Sequence, residues 1–379
     1  MTDASDVARI LVSHAVASRG HQVAIVLVYG SRASGHHSPD SDLDICYIPD
    51  GDGAADLSSQ FVLDGLPYDF WPLSWASAEA IANGLPDRPW AFAASLIAGA
   101  KVLYHRSQVD LDRFVALQDR IDELTRPESY AYMVAGALRQ FPGMLAELGR
   151  LRLAHRSGDE RGRYAAGWRL VGGALDCLAR LNQTYFTGGL GKCLPQVLAM
   201  EHRPEGLETM LRGITNPVSG GKVLEHAECL AAAVRSALLV AQALTASPVA
   251  PREVFADFYF YVVEWVGKIR RACECGDVWA AGAAAWGLEG ELASMLSRAR
   301  QGLGDGDFNL LGDYRLSYAE AQLPDLVGPA ATGDLELLAR RAGELQATFG
   351  KWLESQSVPL GVLRGEEELK RFLASRLAP

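Results

Sequence analysis

Residues 23–48 read Val-Ala-Ile-Val-Leu-Val-Tyr-Gly-Ser-Arg-Ala-Ser-Gly-His-His-Ser-Pro-Asp-Ser-Asp-Leu-Asp-Ile-Cys-Tyr-Ile. The apolar run from Val23 to Val28 predicts a strand ending at Gly30-Ser31. A polar loop follows, and Asp42 and Asp44 then lead into a second apolar run, Ile45 to Ile48. Gly30 lets a backbone approach a polyphosphate closely, and the Ser31 hydroxyl with neighbouring N–H groups can bond its oxygens. Alternation along a strand sets Asp42 and Asp44 on one face, where they can share divalent cations that neither would hold alone. The bland alternative is that both aspartates cap a turn after Pro39. It accounts neither for Gly30-Ser31 nor for a third carboxylate, Asp69, set among apolar and aromatic neighbours in Leu66-Pro67-Tyr68-Asp69-Phe70-Trp71.

Taken in order, Gly30-Ser31, Arg32-Ala33, Ser41-Asp42-Leu43-Asp44 and then Asp69 resemble the signature of the DNA polymerase beta-like nucleotidyltransferase superfamily. That family carries Gly-Ser, a short spacer, Asp-x-Asp and a later carboxylate. The resemblance implies that Asp42, Asp44 and Asp69 hold a pair of Mg²⁺ ions, with Asp69 also helping to remove the acceptor proton. Gly30, Ser31, Arg32 and Ser41 would bind the nucleoside triphosphate. It is specific over residues 23–72 and architectural beyond them, where it looks most like the small-molecule branch that includes aminoglycoside and lincosamide adenylyltransferases. The implied reaction moves AMP from ATP to a hydroxyl of a small molecule, such as an aminoglycoside-like antibiotic, and releases pyrophosphate.

Further residues carry two readings each. Lys192, in Gly188-Gly189-Leu190-Gly191-Lys192, resembles the lysine that a helical domain sends to the triphosphate, and an ammonium suits phosphate as a point charge; it also reads as a surface lysine beside a helix end. Glu79 is the nearest candidate for a separate general base, or a solvated helical glutamate. His36-His37 could approach phosphate or metal, or reads as exposed loop, since no third ligand stands at usable spacing. Arg150, Arg152, His155, Arg156, Arg161 and Arg163 form the only basic segment that would serve a protein or tRNA acceptor, the second functional reading. A third is a catalytically silent nucleotide-binding module, against which the intact Asp42, Asp44 and Asp69 speak.

The chain of 379 residues exceeds ordinary single-domain size, which sets two domains as the prior. A formal charge of -10 argues against broad nucleic-acid binding and favours a cationic acceptor. The cysteines are scattered without a Cys-x-x-Cys pair, the pattern of reduced thiols in a cytoplasmic protein. No basic-then-apolar leader is visible and no run approaches membrane-spanning length, so a cytosolic protein is expected.

The expected fold class is α+β: a nucleotidyltransferase domain over 1–125, with a mixed sheet and flanking helices, then an all-α helical bundle over 126–379. In the first part the pattern predicts helices at 3–19, 54–60, 74–82, 90–97 and 111–124, a strand pair at 61–63 and 68–73, and a closing strand at 99–104. Thr125-Arg126-Pro127-Glu128 marks the boundary. Beyond it Val134, Leu138, Phe141, Leu145 and Leu148 step at helical spacing, as do Trp168, Val171, Leu175 and Leu178. Pro142-Gly143 predicts a kink or a restart. Further helices are expected at 205–213, 220–246, 252–275, 277–300, 334–356 and 366–377. The aromatic stretch Phe255 to Tyr261, with Trp265, Trp279 and Trp286, reads as bundle core, or else as rings for an acceptor or a homodimer interface.

Overall fold

The computed structural model describes residues 4–35, 43–51, 56–85, 89–216, 222–303, 318–319 and 321–376. Helix α1 (Ala4–Arg19) precedes strand β1 (Val23–Tyr29), the short helix α2 (Gly30–Ser34) and β2 (Leu43–Pro49). A hairpin follows, β3 (Ser59–Leu63) and β4 (Leu66–Pro72), turned by Asp64 and Gly65 at positive φ. Next come α3 (Trp75–Ala82), α4 (Trp90–Ala93), α5 (Ser95–Ala98), the closing strand β5 (Lys101–His105) and α6 (Gln108–Leu124). Ser74 caps α3 by accepting from the Ser77 N–H at 3.1 Å, and Ser107 caps α6 in the same way. The strand order is β3-β4-β2-β1-β5, with β2 and β4 parallel and the other neighbours antiparallel. One face of this mixed sheet packs Val26, Val28, Ile45, Tyr47, Tyr68 and Phe70 into a core with Val7, Leu11 and Ala15 of α1.

The rest of the described chain is helical: α7 (Tyr130–Ser157), α8 (Glu160–Leu181), α9 (Leu194–Leu198), α10 (Leu207–Thr215), α11 (Val223–Thr245), α12 (Pro251–Val254), α13 (Tyr259–Glu274), α14 (Val278–Gln301), α15 (Val327–Thr332), α16 (Leu335–Ser355) and α17 (Glu366–Arg376). An α+β chain with its sheet at the N-terminal end is thus observed. Its two compact units are Met1–Thr245 and Ala246–Pro379. The turn near residue 125 lies inside the first unit, because α8 reaches back into the region before it. The carboxylate of Asp176 accepts from the Ala91 N–H at 2.6 Å and from Arg180 Nε at 3.0 Å. Arg180 Nη1 donates to the Gly84 carbonyl at 3.2 Å, and its guanidinium lies 5.2 Å from the Trp90 ring centre. Gly136 of α7 lies hard against that guanidinium, where a Cβ would have no room.

Several expectations differ from what folds. Of the helix expected at 54–60, residues 56 and 57 form a 3-10 turn and strand β3 begins at Ser59, residues 52–55 being outside the described set. Helix α7 runs through Pro142 without a restart, since Pro142 and Gly143 lie on its exposed face and the missing hydrogen bond falls on the solvent side. The helix expected at 252–275 breaks between α12 and α13, where Asp257 adopts a φ of 59°. Phe255 and Phe258 there turn inward onto Phe349, at ring distances of 5.5 and 6.3 Å. The aromatic stretch is therefore core only in part: Trp279 and Trp286 are exposed, on the side of α14 opposite its buried positions Ala281, Ala285, Leu288 and Leu292. The expectation of no membrane-length run also needs correction. Helix α11 is long and apolar enough by length and composition, its second half carrying Arg235 as the lone charge among apolar residues; it packs on α7, α8 and α10.

Candidate functional site

Strand register brings three sequence-distant residues together. Tyr29, the last residue of β1, pairs with Asp44 on β2, and Asp44 pairs with Asp69 on the parallel strand β4. Side chains alternate, so Leu43, Ile45, Tyr68 and Phe70 enter the core with α1 while Asp44 and Asp69 share the opposite face. Gly30 completes the arrangement. Its φ is 73°, and a Cβ built there would sit 2.6 Å from Asp44 Oδ2. Only glycine satisfies both the backbone conformation and the close approach of the carboxylate.

Partners orient the group. Gln60, opposite Asp69 on β3, donates through Nε2 to Asp69 Oδ1 at 3.2 Å. Trp71 Nε1 donates to the Tyr29 hydroxyl at 2.8 Å, and the two rings meet edge-on at 6.1 Å. Burial pushes the Tyr29 phenol well above its usual range; the Trp71 hydrogen bond opposes this, and the charges of Asp44 and Asp69 add to it. The buried Cys46 thiol is raised by burial and then by the same two carboxylates. Tyr29 and Cys46 thus stay neutral beside a spot of concentrated negative charge, and the phenol keeps its proton to donate. Sequence reasoning missed Tyr29, Gln60 and Trp71. Their signal was positional: one residue before Gly30, two after Asp69, and one on the strand that pairs with Asp69.

The remaining expected residues divide. Arg32 is half-buried on α2, and Ser31 is the second residue of that helix. Ser41, Asp42, His36 and His37 lie outside the described residues. Among the described residues no cluster of three or more His, Cys, Asp or Glu forms a metal site, and Asp42, expected to join Asp44 and Asp69, is not among them. Lys192 is exposed in a turn where its backbone N–H donates to the Gly189 carbonyl at 2.8 Å; the structure describes no bond from it to Asp44 or Asp69. Glu79 is held by Arg113 at 2.6 Å, and that guanidinium stacks 4.1 Å above Trp75, so Glu79 belongs to a surface ion pair. In the basic segment, Arg150 and Arg169 both bind Glu147, at 2.5 and 2.8 Å, and Arg152 binds Glu228 at 2.8 Å. Arg150 and Arg152 are thus paired, while no ion pair is described for Arg156 or Arg161 of the same segment.

A cavity of about 1280 Å³ opens in the helical part of the first unit, lined among others by Tyr130, Asn182, Gln183, Tyr185, Glu201 and Leu244. Its place relative to the sheet follows from α6. That helix starts beside Arg106, which binds Asp50 at the Val23 end of the sheet. By Gln118 it has reached the Tyr29 end, where Nε2 donates to the carbonyls of Ile97 and Ala100, just before β5. It continues to Leu124, roughly 9 Å further at helical rise, and there Gln183 Nε2 reaches the Leu124 carbonyl at 3.4 Å. The cavity wall at 182–186 therefore stands beyond the same end of the sheet that carries Gly30 and Asp44. Of the described residues expected to bind metal or nucleotide, none lines it.

Compared with known proteins, the chain matches no family model and no curated protein.

Proposed function

We propose that the protein is a metal-dependent nucleotidyltransferase that moves a nucleoside monophosphate, AMP from ATP in the leading case, onto a hydroxyl of a small molecule. The observation that carries this reading is the convergence of Gly30, Asp44 and Asp69 at one end of the sheet, with the Asp44 carboxylate packed where a Cβ on any other residue would stand. Paired carboxylates are hard oxygen donors and fit Mg²⁺ in chemistry. Asp44 and Asp69, with Asp42, would hold the ions; bound there, they would neutralise phosphate charge and lower the pKa of the acceptor hydroxyl.

The chain's own groups have separable tasks. The Gly30 turn admits the phosphates to the backbone, and Arg32 balances charge on them. Tyr29 offers a neutral O–H donor beside the carboxylates. Gln60 fixes the rotamer of Asp69, which takes the hydroxyl proton as the acceptor oxygen bonds to the α-phosphorus and pyrophosphate leaves. One observation favours a small acceptor: the cavity in the helical part of the first unit.

The test is incubation with Mg²⁺, each α-labelled nucleoside triphosphate and a crude bacterial extract supplemented with aminoglycosides, followed by sorting of the label by size. Label on a small molecule supports the proposal and names the donor base. Label on protein or RNA moves the assignment to a macromolecular acceptor. Label left wholly in the triphosphate, across all donors and a broad panel of hydroxyl compounds, rejects transferase activity.

A further inference from the structure

The second compact unit exposes an aromatic face that its own core does not use. On α14, Trp279, Ala283, Trp286 and Gly290 recur at helical spacing, opposite the buried stripe Ala281, Ala285, Leu288 and Leu292. On α13, Phe260, Glu264, Gly267 and Arg271 lie opposite buried Val262, Val266 and Ile269. The Trp265 ring against Gly287 levels the two antiparallel helices and sets these outward stripes side by side. Trp279 is 88%, Trp286 70%, Phe260 65% and Tyr261 50% exposed. At the usual size of aromatic side chains these four offer roughly 500 Å² to solvent. That is the upper range of a monomer's largest apolar patch and more than half of the about 800 Å² each partner gives to a standard interface.

Among the described residues, nothing accounts for two mid-helix glycines on this face. A Cβ on Gly267 or Gly282 would meet nothing within 4 Å, yet each glycine costs its helix about 1 kcal/mol relative to alanine. By contrast Gly287, beside them, makes room for Trp265.

We infer that this face is the interface of an isologous homodimer, in which α14 packs antiparallel on α14 of a second copy. A two-fold axis level with Ala284 and Ala285 sets each Trp279 opposite the other copy's Gly290 and each Trp286 opposite its Ala283, large side chains into small ones. The level fixed by Trp265 and Gly287 carries the same operation to α13, where Glu264 of each copy meets Arg271 of the other. Both the shape and the charge of the face are thereby complementary to themselves, as two-fold symmetry requires. A membrane surface fits less well, because acids (Glu264, Glu274, Asp277) alternate with bases (Lys268, Arg270, Arg271) around the patch instead of forming a basic rim.

The test is sedimentation equilibrium of the full chain at tens of micromolar. The expected result is twice the 40.9 kDa chain mass, falling to the monomer mass in Trp279→Ala/Trp286→Ala with an unchanged far-ultraviolet spectrum. Glu264→Arg and Arg271→Glu should each weaken the dimer several-fold, and the two together should restore it. A wild-type monomer at that concentration, or a dimer indifferent to the tryptophan pair, overturns the inference. Single charge reversals that the double variant fails to rescue overturn the antiparallel pairing. None of these outcomes depends on the proposed activity.

Discussion

Replacing Arg180 with leucine should unfold the first unit far more readily than any surface change. The Arg180 and Asp176 side chains are 1% and 0% exposed. Removing one member of such a pair leaves an uncompensated buried charge and costs about 3–5 kcal/mol. For a unit of this size each kcal/mol lowers Tm by about 2–4 °C, so the fall should be roughly 6–20 °C. The double variant Asp176→Leu/Arg180→Leu removes both charges and leaves the Ala91 N–H without its acceptor and the Gly84 carbonyl without its donor, about 1–3 kcal/mol each but with no buried charge left unpaired. It should therefore be more stable than either single variant. The pH dependence has a definite sign. Burial raises the Asp176 carboxyl above its ordinary value, outweighing the pull of Arg180 and the Ala91 hydrogen bond. A raised carboxyl favours the folded state at low pH and penalises it as pH climbs through the folded-state value. Without Arg180 the rise is larger, so the deficit of Arg180→Leu should shrink as pH falls toward 3.8. Urea midpoints for the three variants across pH provide the assay. A single variant within about 1 kcal/mol of wild type, or a double variant whose loss equals the sum of the singles, would refute the reasoning.

Gly30→Ala places a side chain at φ 73°, worth about 1–2 kcal/mol of stability. It also displaces the Asp44 carboxylate, so nucleotidyl transfer should fall by around 10²-fold; a variant that melts lower yet transfers at the wild-type rate would dissociate the carboxylate from catalysis. Asp110→Asn tests the acid limb of the stability curve. Desolvation raises that carboxyl, but hydrogen bonds from Arg106 and Ser107 prevail and hold it below 3.8. Its contribution is therefore complete above 3.8 and is lost as pH falls through the lower folded-state value. The variant should lose about 1.5–3 kcal/mol at neutrality and flatten that limb, read from urea midpoints. Cys46 should resist alkylation in the native protein at mildly alkaline pH, because burial and two carboxylates raise its thiol; rapid modification with the fold intact would contradict the electrostatics described.

The sheet was legible because its signals are local and two-periodic. Val23 to Val28, Ile45 to Ile48 and the Asp64-Gly65 turn each announce an element without reference to the rest of the chain. Gly30, Asp44 and Asp69 stand out for the same reason, being residue types that strands rarely carry unless a site or a turn needs them. Pairing is a different matter. That Asp44 faces Asp69 across a parallel register, and that Gln60 and Tyr29 flank them, depends on strand order, which alternation alone does not specify. The tie across the turn near residue 125 was hidden in a similar way. Thr125 to Glu128 is a true turn, yet the tie from α8 to α3 and α4 runs through Asp176 and Arg180, four apart in the otherwise apolar second half of that helix. Their spacing signals an ion pair, but its buried reach to Gly84 and Ala91 is visible only in three dimensions. The tryptophans of α14 illustrate the opposite error. Counted as aromatic content they suggested core; plotted by period they fall opposite Ala281, Ala285, Leu288 and Leu292 and so face outward.

The most direct measurement of the central claim is calorimetric titration of the protein with ATP, with and without Ca²⁺ as a non-catalytic stand-in for Mg²⁺, in wild type, Asp44→Asn and Asp69→Asn. The account predicts cation-dependent nucleotide binding in wild type that is lost or weakened at least ten-fold, about 1.4 kcal/mol, in each variant, with unchanged melting curves. Binding that ignores the cation, or that survives both substitutions, would contradict the assignment of Asp44 and Asp69 as the carboxylates of a metal–nucleotide site.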